Sequence, residues 1–349
     1  MAYTDIDDPS LYFRIKTYTG NGTNDTAITW DETHANMQPD WLWFKNRSAA
    51  QSHAVFDSVR GATLRIIPNE NGAEGTENTN LDSFDSNGFT VDNEAIVNGN
   101  GNNMIAWGWK AGGSASSNSN GSISSSVSVN TTAGFSIVSF TTPSSGTFTV
   151  GHGLSSVPKL WLHKRRDGSD HWQFYHESVG NTKKLLLSAT NAEGTSAIWQ
   201  DTTPTSSIMY LGAAGTHLNA SATYIAYCFA EKQGYSSFGS YTGNGNADGP
   251  FVYTGFKPAW VIIKRTDSTA DWHIQDNKRN TFNPVDTSLF ANTNDADTQS
   301  SSYDTDFLSN GFKLRGTTTA RNGSGNTYIY WAFAESPFTN SSGVPNNAR

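Results

Sequence analysis

The chain has 349 residues, of which 36% are hydrophobic and only 15% charged, and its net charge is −8. This length allows two or three domains with hydrophobic cores of their own. No basic cluster is longer than residues 164–166, so the electrostatic footprint of a nucleic-acid-binding protein is missing and we expect no nucleic-acid partner.

Small polar residues stand where charged ones would be usual. Ser, Thr, Asn and 32 Gly compete for backbone hydrogen bonds or loosen the backbone, which disfavours helices and favours turns and short strands. The chain also has 11 Trp, a large number for so polar a sequence. Large flat rings fill thin β-sandwich cores or form stacking surfaces.

Three features bear on the compartment in which the chain is made. The single cysteine, Cys228, lies in an apolar strand, so we expect a buried core residue and no internal disulfide. The acidic N-terminus lacks the apolar segment of a secretory signal. No apolar run approaches the ~18 residues of a membrane span. We therefore expect synthesis in a cytosol and no membrane insertion.

An N-terminal arm, residues 1–16, precedes the rest of the chain. Asp-Asp-Pro-Ser at 7–10 is a turn or helix-cap signal, and apolar Leu11, Tyr12, Phe13 and Ile15 follow it. A free arm would not keep so many apolar side chains in water. We expect the arm to dock on its own domain or on a neighbouring chain.

The dominant pattern is a long segment that occurs three times. Thr-Tyr-Thr-Gly-Asn-Gly at 17–22 returns as Ser-Tyr-Thr-Gly-Asn-Gly at 240–245. A Pro follows about 20 residues later and opens an apolar strand that ends in Lys; these strands are residues 39–45, 158–164 and 258–264. Each copy closes on a second apolar strand, at 105–111, 224–230 and 328–334. The middle copy has Phe-Thr-Thr-Pro-Ser-Ser-Gly at 140–146 in place of the glycine motif.

A repeat of roughly 100 residues has the size of a domain. The predicted organisation is copy 1 at 17–112, a Ser/Gly/Asn-rich linker at 113–134, copy 2 at 135–234, copy 3 at 235–338 and a polar tail at 339–349. We expect the first half of the linker to be flexible, and its second half, with three apolar residues between serines, can pair as an edge strand.

Strand signals run through all three copies. The apolar strand at 41–44 is apolar on both faces, which indicates a central strand buried on both sides or with one face against another chain. Asn-Gly pairs, among them those at 21–22, 71–72, 87–88, 244–245, 310–311 and 322–323, supply the positive φ angles of tight hairpin turns. We predict an all-β fold of three tandem antiparallel β-sandwiches, jelly-roll or lectin-like in type.

Charged residues recur after the strand that ends in Lys. The set is Lys45, Asp57 and Arg60 in copy 1, Lys164 and Glu177 in copy 2, and Lys264, Asp276 and Arg279 in copy 3. In copy 2, Gly180 stands in the position of the arginine. One interpretation is an ion-pair and turn network that pins a loop. A polar ligand pocket is the alternative.

Aromatic side chains near the same loop are candidates for ligand binding. The set comprises Trp30, Trp172, Trp199 and Trp272, with His53 standing in copy 1 where copies 2 and 3 have tryptophan. Exposed indole rings stack on sugar faces by apolar contact. Burial in the core is the alternative, and we expect it for Trp41, Trp161 and Trp260, which lie within apolar strands.

No catalytic or metal-binding motif is recognisable. The segments 82–88 and 304–311 hold acidic side chains before a turn but do not match a calcium loop. No His-x-His pair has a third ligand, and no G-x-S-x-G nucleophile elbow occurs. We expect no metal, no cofactor and no enzymatic activity, although a distant pair of catalytic carboxylates is compatible with the sequence.

A combination of motifs over almost the full length resembles a family of bacteriophage structural proteins. They are Asp-Asp-Pro-Ser at 7–10, Tyr-Thr-Gly-Asn-Gly at 18–22, the strand at 39–45, Asp-Ser-Val-Arg-Gly at 57–61, Asn-Gly-Phe at 87–89, Asn-Thr-Thr-Ala-Gly-Phe-Ser-Ile at 130–137, Val-Gly-His-Gly-Leu at 150–154, Tyr-Cys-Phe-Ala-Glu at 227–231 and the ending at 343–349. That family is common in marine phages, carries an uncharacterised β-rich domain and is often labelled tail fibre or virion protein. The resemblance implies a virion protein and offers no catalytic residues.

Two functions follow from this resemblance. The first is a tail fibre or receptor-binding component that contacts host surface polysaccharide, with other virion proteins as partners and a homo-oligomer, a trimer by analogy, as its state. The second is a capsid decoration, head-fibre or tail-connector protein without a receptor, anchored to the particle by Leu11, Tyr12, Phe13 and Ile15. Sugar binding predicts exposed aromatic rings clustered on one face, whereas decoration predicts exposed apolar surface at the arm.

Overall fold

The structure is a computed structural model that describes residues 4–345; residues 1–3 of the expected arm and 346–349 of the expected tail lie outside it. Its regular structure is mainly β-strand. The helices of the described residues are single turns, α1 (Ala95–Asn98), α2 (Thr319–Asn322) and the 3-10 turns Pro9–Leu11, Ala197–Trp199 and Ser301–Tyr303. The strands pair in several antiparallel sheets, so the predicted all-β class is confirmed.

Copy 1 contains one large and one small sheet. Its strands are β1 (Phe13–Thr19), β2 (Thr26–Thr29), β3 (Trp41–Asn46), β4 (Ala54–Asp57), β5 (Gly61–Ile66), β6 (Gly75–Thr76), β7 (Leu81–Asp85), β8 (Gly88–Val91) and β9 (Asn103–Trp109). The large sheet has the order β1-β9-β3-β4-β5-β6 and the small sheet the order β2-β8-β7.

Copy 2 has the same plan with a longer large sheet. Its strands are β10 (Ser116–Asn118), β11 (Ser125–Asn130), β12 (Phe135–Thr141), β13 (Gly146–Gly151), β14 (Leu160–Arg165), β15 (Gln173–His176), β16 (Lys183–Leu186), β17 (Gly194–Thr195), β18 (Ile208–Ala214) and β19 (Thr223–Phe229). The large sheet runs β10-β11-β12-β19-β14-β15-β16-β17, and β13 pairs with β18.

Copy 3 closely repeats copy 1. Its strands are β20 (Ser236–Thr242), β21 (Phe251–Tyr253), β22 (Phe256–Arg265), β23 (Trp272–Asp276), β24 (Thr287–Phe290), β25 (Thr298–Gln299), β26 (Thr305–Leu308), β27 (Gly311–Leu314) and β28 (Thr327–Pro337). The large sheet runs β20-β28-β22-β23-β24-β25 and the small sheet β21-β27-β26.

One path therefore underlies all three large sheets. In each copy one early strand (β1, β12 or β20) pairs with the last strand, and the last strand pairs with the strand that ends in Lys. The register makes positions equivalent: Trp41, Leu160 and Trp260 lie opposite Trp109, Phe229 and Phe333. These equivalences allow one copy to serve as the reference for another.

The inner faces of the three large sheets meet in a single hydrophobic core, which we call the central cluster. Its aromatic members are Phe13, Trp41, Trp43, Trp107 and Trp109 from copy 1, Phe135, Trp172, Phe174, Tyr227 and Phe229 from copy 2, and Tyr235, Phe238, Trp260, Trp272, Trp331 and Phe333 from copy 3. The copies thus surround a common core, which differs from the expected series of sandwiches with separate cores.

Trp41 shows how closely the copies are joined. Its ring stacks on Tyr227 of copy 2 at 4.6 Å between centroids and lies 6.3 Å from Trp331 of copy 3, nearly parallel to it. Aromatic pairs at these separations add about 0.5–1.5 kcal/mol each beyond the area they bury. One side chain therefore contacts all three copies.

The outer faces of the large sheets are buried within each copy. Phe44, Phe56 and Phe89 pack between the two sheets of copy 1. A second cluster in copy 2 includes Trp161 and Trp199, and copy 3 has a third cluster of the same kind. The strands that end in Lys are consequently buried on both faces, as their two-sided apolar pattern predicts.

Two segments differ from the expected boundaries. In the expected linker, β10 and β11 extend the large sheet of copy 2, so residues 116–118 form an edge strand where we expected flexible chain. β11 pairs on both sides and is not itself the edge. In the expected arm, β1 begins at Phe13 and pairs with β9, so the end of the arm is the first strand of copy 1.

We predict that copy 1 does not fold alone. A fragment comprising residues 4–112 would expose Trp41, Trp43, Trp107 and Trp109, which are fully buried in the whole chain. An apolar face of this size drives association in water. Size-exclusion chromatography and thermal unfolding should show aggregation or self-association of the fragment beside a cooperative transition of the full chain. A monomeric fragment with its own cooperative transition would contradict the shared core.

The core of copy 2 contains an unusual histidine. His163 is 1% exposed and occupies the position that Phe44 has in copy 1 and Ile263 in copy 3. Its ring lies edge-on to Trp199 at 5.5 Å, and neither ring nitrogen has a hydrogen-bond partner among the described residues. Burial, with a smaller contribution from Lys184, lowers its pKa to about 3, so the ring is neutral at pH 7.

We predict that His163→Phe raises the free energy of unfolding at pH 7 by about 1–3 kcal/mol, because it removes two unpaired buried nitrogens. The unfolded histidine takes up a proton below pH ~6.5 but the folded one does not until about pH 3, so wild-type stability falls as pH drops through this interval. In urea unfolding, the free energy of unfolding of the variant should therefore fall less between pH 7 and pH 4.5 than that of wild type. The control His34→Gln, at an exposed histidine, should show the same fall in the free energy of unfolding as wild type. A fall in His163→Phe as large as that of wild type would refute the prediction.

Candidate functional site

The aromatic candidates for ligand stacking are all buried. Trp30 is 3% exposed, Trp272 1%, and Trp172, Trp199 and His53 are 0% exposed. Trp30 packs in the core of copy 1 and Trp199 in that of copy 2. Their ring faces are covered by protein, which corrects the expectation that they form a stacking surface for sugars.

Three of these residues join neighbouring copies in a ring. His53, Trp172 and Trp272 each reach a backbone carbonyl of another copy: His53 Nε2 lies 3.0 Å from Phe290 O, Trp172 Nε1 2.9 Å from Ile67 O and Trp272 Nε1 3.0 Å from Leu186 O. Trp43 Nε1 donates to His53 Nδ1 at 2.8 Å, so the proton of His53 is on Nε2. Copy 1 thereby bonds to copy 3, copy 3 to copy 2 and copy 2 to copy 1.

The recurring lysines form a second ring at the same seams. Lys45, Lys164 and Lys264 are fully buried, and their ammonium groups donate to carbonyls of the next copy: Asn294 O at 3.2 Å, Asn71 O at 3.3 Å and Thr190 O at 3.0 Å. Burial lowers the pKa of each to about 8. These lysines hold loops of neighbouring copies together.

Asp57 and Arg60 form a buried pair beside the central cluster. Arg60 Nε donates to Asp57 Oδ2 at 2.5 Å, and the backbone N–H groups of Val59 and Arg60 donate to Oδ1. Tyr227 of copy 2 completes the site by donating its hydroxyl to Asp57 Oδ2 at 2.6 Å. In copy 3, Arg279 Nε donates to Asp276 Oδ2 at 2.7 Å in the same way.

Copy 2 departs from the charged pattern at a different residue than expected. The register places His176, not Glu177, at the position of Asp57 and Asp276. His176 Nδ1 accepts from Ser178 N at 3.1 Å, and its Nε2–H donates to Tyr330 O of copy 3 at 3.2 Å. By the same spacing Val179 replaces the arginine. Glu177 instead pairs with Lys159 at the surface, so its assignment to the network was wrong by one residue.

The residues expected to anchor the arm to a particle face the chain itself. Phe13 and Ile15 are each 3% exposed, and Phe13 stacks on Phe333 at 5.1 Å between ring centroids. Tyr12 packs against the central cluster, and Leu11 ends a 3-10 turn. Of the two docking modes expected for the arm, contact with its own chain is the one observed.

We predict that Tyr227→Phe lowers the free energy of unfolding by about 1–3 kcal/mol, since the buried Asp57 carboxylate loses one of its donors. Denaturant unfolding at pH 7 measures the change. Tyr253→Phe, which removes a hydroxyl from a ring that is 60% exposed, should stay within about 0.5 kcal/mol of wild type. Equal stability of Tyr227→Phe and wild type would show that the inter-copy bond contributes nothing.

Exposed aromatic rings occur in one part of the described chain only, copy 3. Phe251 is 44% exposed, Tyr253 60% and Phe282 81%. Phe251 and Tyr253 are alternate residues of β21, the edge strand of the small sheet, so they lie on one face. No motif in the sequence marks these residues; register alignment of the three copies would have been needed to single them out.

Tyr253 stands at the side of a cleft of about 770 Å³ where copies 2 and 3 join. Six of its lining residues are Asp5, Glu231, Ser237, Tyr253, Thr254 and Thr339. The Tyr253 hydroxyl lies 3.6 Å from the point where a Cβ on Gly255 would be, so the ring lies along the backbone of that glycine.

Fixed hydrogen bonds position the polar wall of this cleft. Ser237 Oγ and Tyr330 Oη share one at 3.1 Å, and Thr254 Oγ1 donates to Phe256 O at 2.8 Å. Glu231 is open to solvent as a residue, but its Oε2 accepts from Phe238 N at 3.1 Å. Desolvation nevertheless raises the pKa of this carboxyl.

The described part of the chain, residues 4–345, holds no group of three or more His, Cys, Asp or Glu side chains arranged as metal ligands. None of its helices is long and apolar enough to cross a membrane.

The chain belongs to the family described as Domain of unknown function (DUF7483), whose family model matches residues 8–337. The match spans all three copies, in keeping with their shared core. Neither the curated proteins nor the solved structures contain a match to the chain.

Proposed function

We propose that the protein is a phage virion protein, a tail fibre or receptor-binding component, and that its third copy contacts host surface polysaccharide. The observation that carries the proposal is the placement of the exposed rings Phe251, Tyr253 and Phe282 in copy 3. Aromatic rings in water are unfavourable unless a partner covers them, and sugar faces are suitable partners for flat rings. The assignment to a virion rests on the family resemblance of the sequence.

The fold itself does not need these rings. By strand register, Tyr253 is equivalent to Thr29 of copy 1 and Gly151 of copy 2, and Phe251 is equivalent to Ala27. The same strand therefore forms in two other copies without an aromatic side chain at that position. A role in recognition accounts for rings that packing does not explain.

The alternative is a capsid decoration, head-fibre or tail-connector protein. Its supporting feature was an apolar arm free to anchor on a particle, and Phe13 and Ile15 are buried in the central cluster instead. Deleting residues 1–16 would therefore remove part of the core and would not test anchoring. The exposed rings favour the receptor-binding role.

We also propose that each copy is a sandwich of the lectin-like or jelly-roll type, with the small sheet packed on the outer face of the large one. The predicted homo-oligomer, a trimer by analogy, would assemble chains that already hold three copies around one core. Weak sugar sites repeated on a particle would then give avidity gains of about 10² to 10⁴. In this proposal the role is binding, not catalysis, and the place of action is the virion.

The proposal predicts that the purified protein binds cells of the host bacterium and that their isolated surface polysaccharide competes. A triple variant takes its replacements from copy 1: Phe251→Ala, Tyr253→Thr and Phe282→Thr, the last because Thr63 follows Arg60 as Phe282 follows Arg279. It should bind cells at least tenfold more weakly while retaining the thermal transition of wild type. Binding to stripped phage particles but not to cells would overturn the proposal in favour of decoration or connection.

A further inference from the structure

We infer that the cleft beside Tyr253 is the sugar-binding subsite of this protein and that it takes a neutral or amino sugar. The inference rests on the proposed function and deepens it by naming the site and the ligand class. A cleft of about 770 Å³ is within the usual range for a small-molecule site, about 300–1,000 Å³.

The cleft has the two kinds of surface that a pyranose requires. Tyr253 presents a ring that is 60% exposed, against which the C–H face of a sugar can pack. The polar surface of the cleft consists of the hydroxyl groups of Ser237, Thr254 and Thr339 and the carboxylate of Glu231. Hydroxyl groups of a sugar donate to and accept from such side chains.

The charges of the cleft decide the class of ligand. Asp5 and Glu231 line it, and no Lys or Arg does. The nearby Lys159 is paired with Glu177. A phosphate, sulfate or uronate would face two carboxylates without a counter-charge, which is unfavourable, whereas a neutral sugar or a protonated amino group is compatible.

Copy 1 shows what this position looks like without the site. Thr29 stands at the equivalent of Tyr253, and Ala111, two residues after Trp109, stands at the equivalent of Glu231, two residues after Phe229. The aromatic platform is thus an addition to the common fold, whereas the carboxylate recurs as Glu335 of copy 3, two residues after Phe333. An exposed ring that the common fold does not require, at the side of a cleft lined by polar groups, indicates a ligand.

The test uses the full chain on an array of immobilised oligosaccharides built from neutral hexoses and 2-amino-2-deoxyhexoses, with sulfated oligosaccharides as the anionic comparison. The best ligand is then titrated by calorimetry into wild type, Tyr253→Thr, Glu231→Gln and, as the control, Val157→Thr. Tyr253→Thr and Glu231→Gln should each bind about tenfold more weakly or worse, since each loses a stacking or charged contact of about 1.4 kcal/mol. Val157→Thr alters an exposed apolar side chain outside the cleft and should bind within about twofold of wild type.

The outcomes separate this inference from the function on which it rests. Unchanged affinity in Tyr253→Thr, preference for the sulfated ligands, or no binding to any neutral or amino sugar would overturn the cleft as the subsite. If host-cell binding by wild type persists in that case, the proposed function stands and another surface carries it. If wild type does not bind host cells at all, the proposed function fails as well. Identical thermal transitions of the variants exclude unfolding as the cause of a loss.

Discussion

The inner face of each large sheet is too apolar to face water, and only the other two inner faces cover it. Trp41, Trp109 and Trp331 lie where the three faces meet. Each such ring buries about 150–250 Å². Each copy buries its apolar inner face against the inner faces of the other two. This mutual burial explains why the copies share a core and why the match to the family covers them together.

Polar groups at the seams determine how the copies are oriented. His53, Trp172, Trp272 and the three buried lysines all donate to backbone carbonyls of the next copy, and such bonds require a fixed distance and direction. Apolar contact alone would tolerate sliding of one sheet on another. The core also carries a cost, because the indole N–H groups of Trp41, Trp107, Trp109, Trp260 and Trp331 find no acceptor among the described residues.

Differences between the copies are informative because the fold is the same in all three. Where copies agree, as in the lysines and the Asp–Arg pairs of copies 1 and 3, the residue serves the common architecture. Tyr253 departs from Thr29 of copy 1 at the surface, at the side of a cleft. His163 departs from Phe44 in a core, where it gives the protein a buried group sensitive to acid.

Sequence alone establishes the all-β class, the three copies and the recurring lysines, because strand alternation, Asn-Gly turns and repetition are local patterns. It even aligns His53 with Trp172 and Trp272. It leaves open whether these rings face a ligand or a core, since a buried and an exposed indole look alike in a strand. Only the packing of the three copies decides that point: burial at the seams needs partners more than 80 residues away, such as Leu186 for Trp272. The same packing leaves Tyr253 outside the core, in a position no motif reveals.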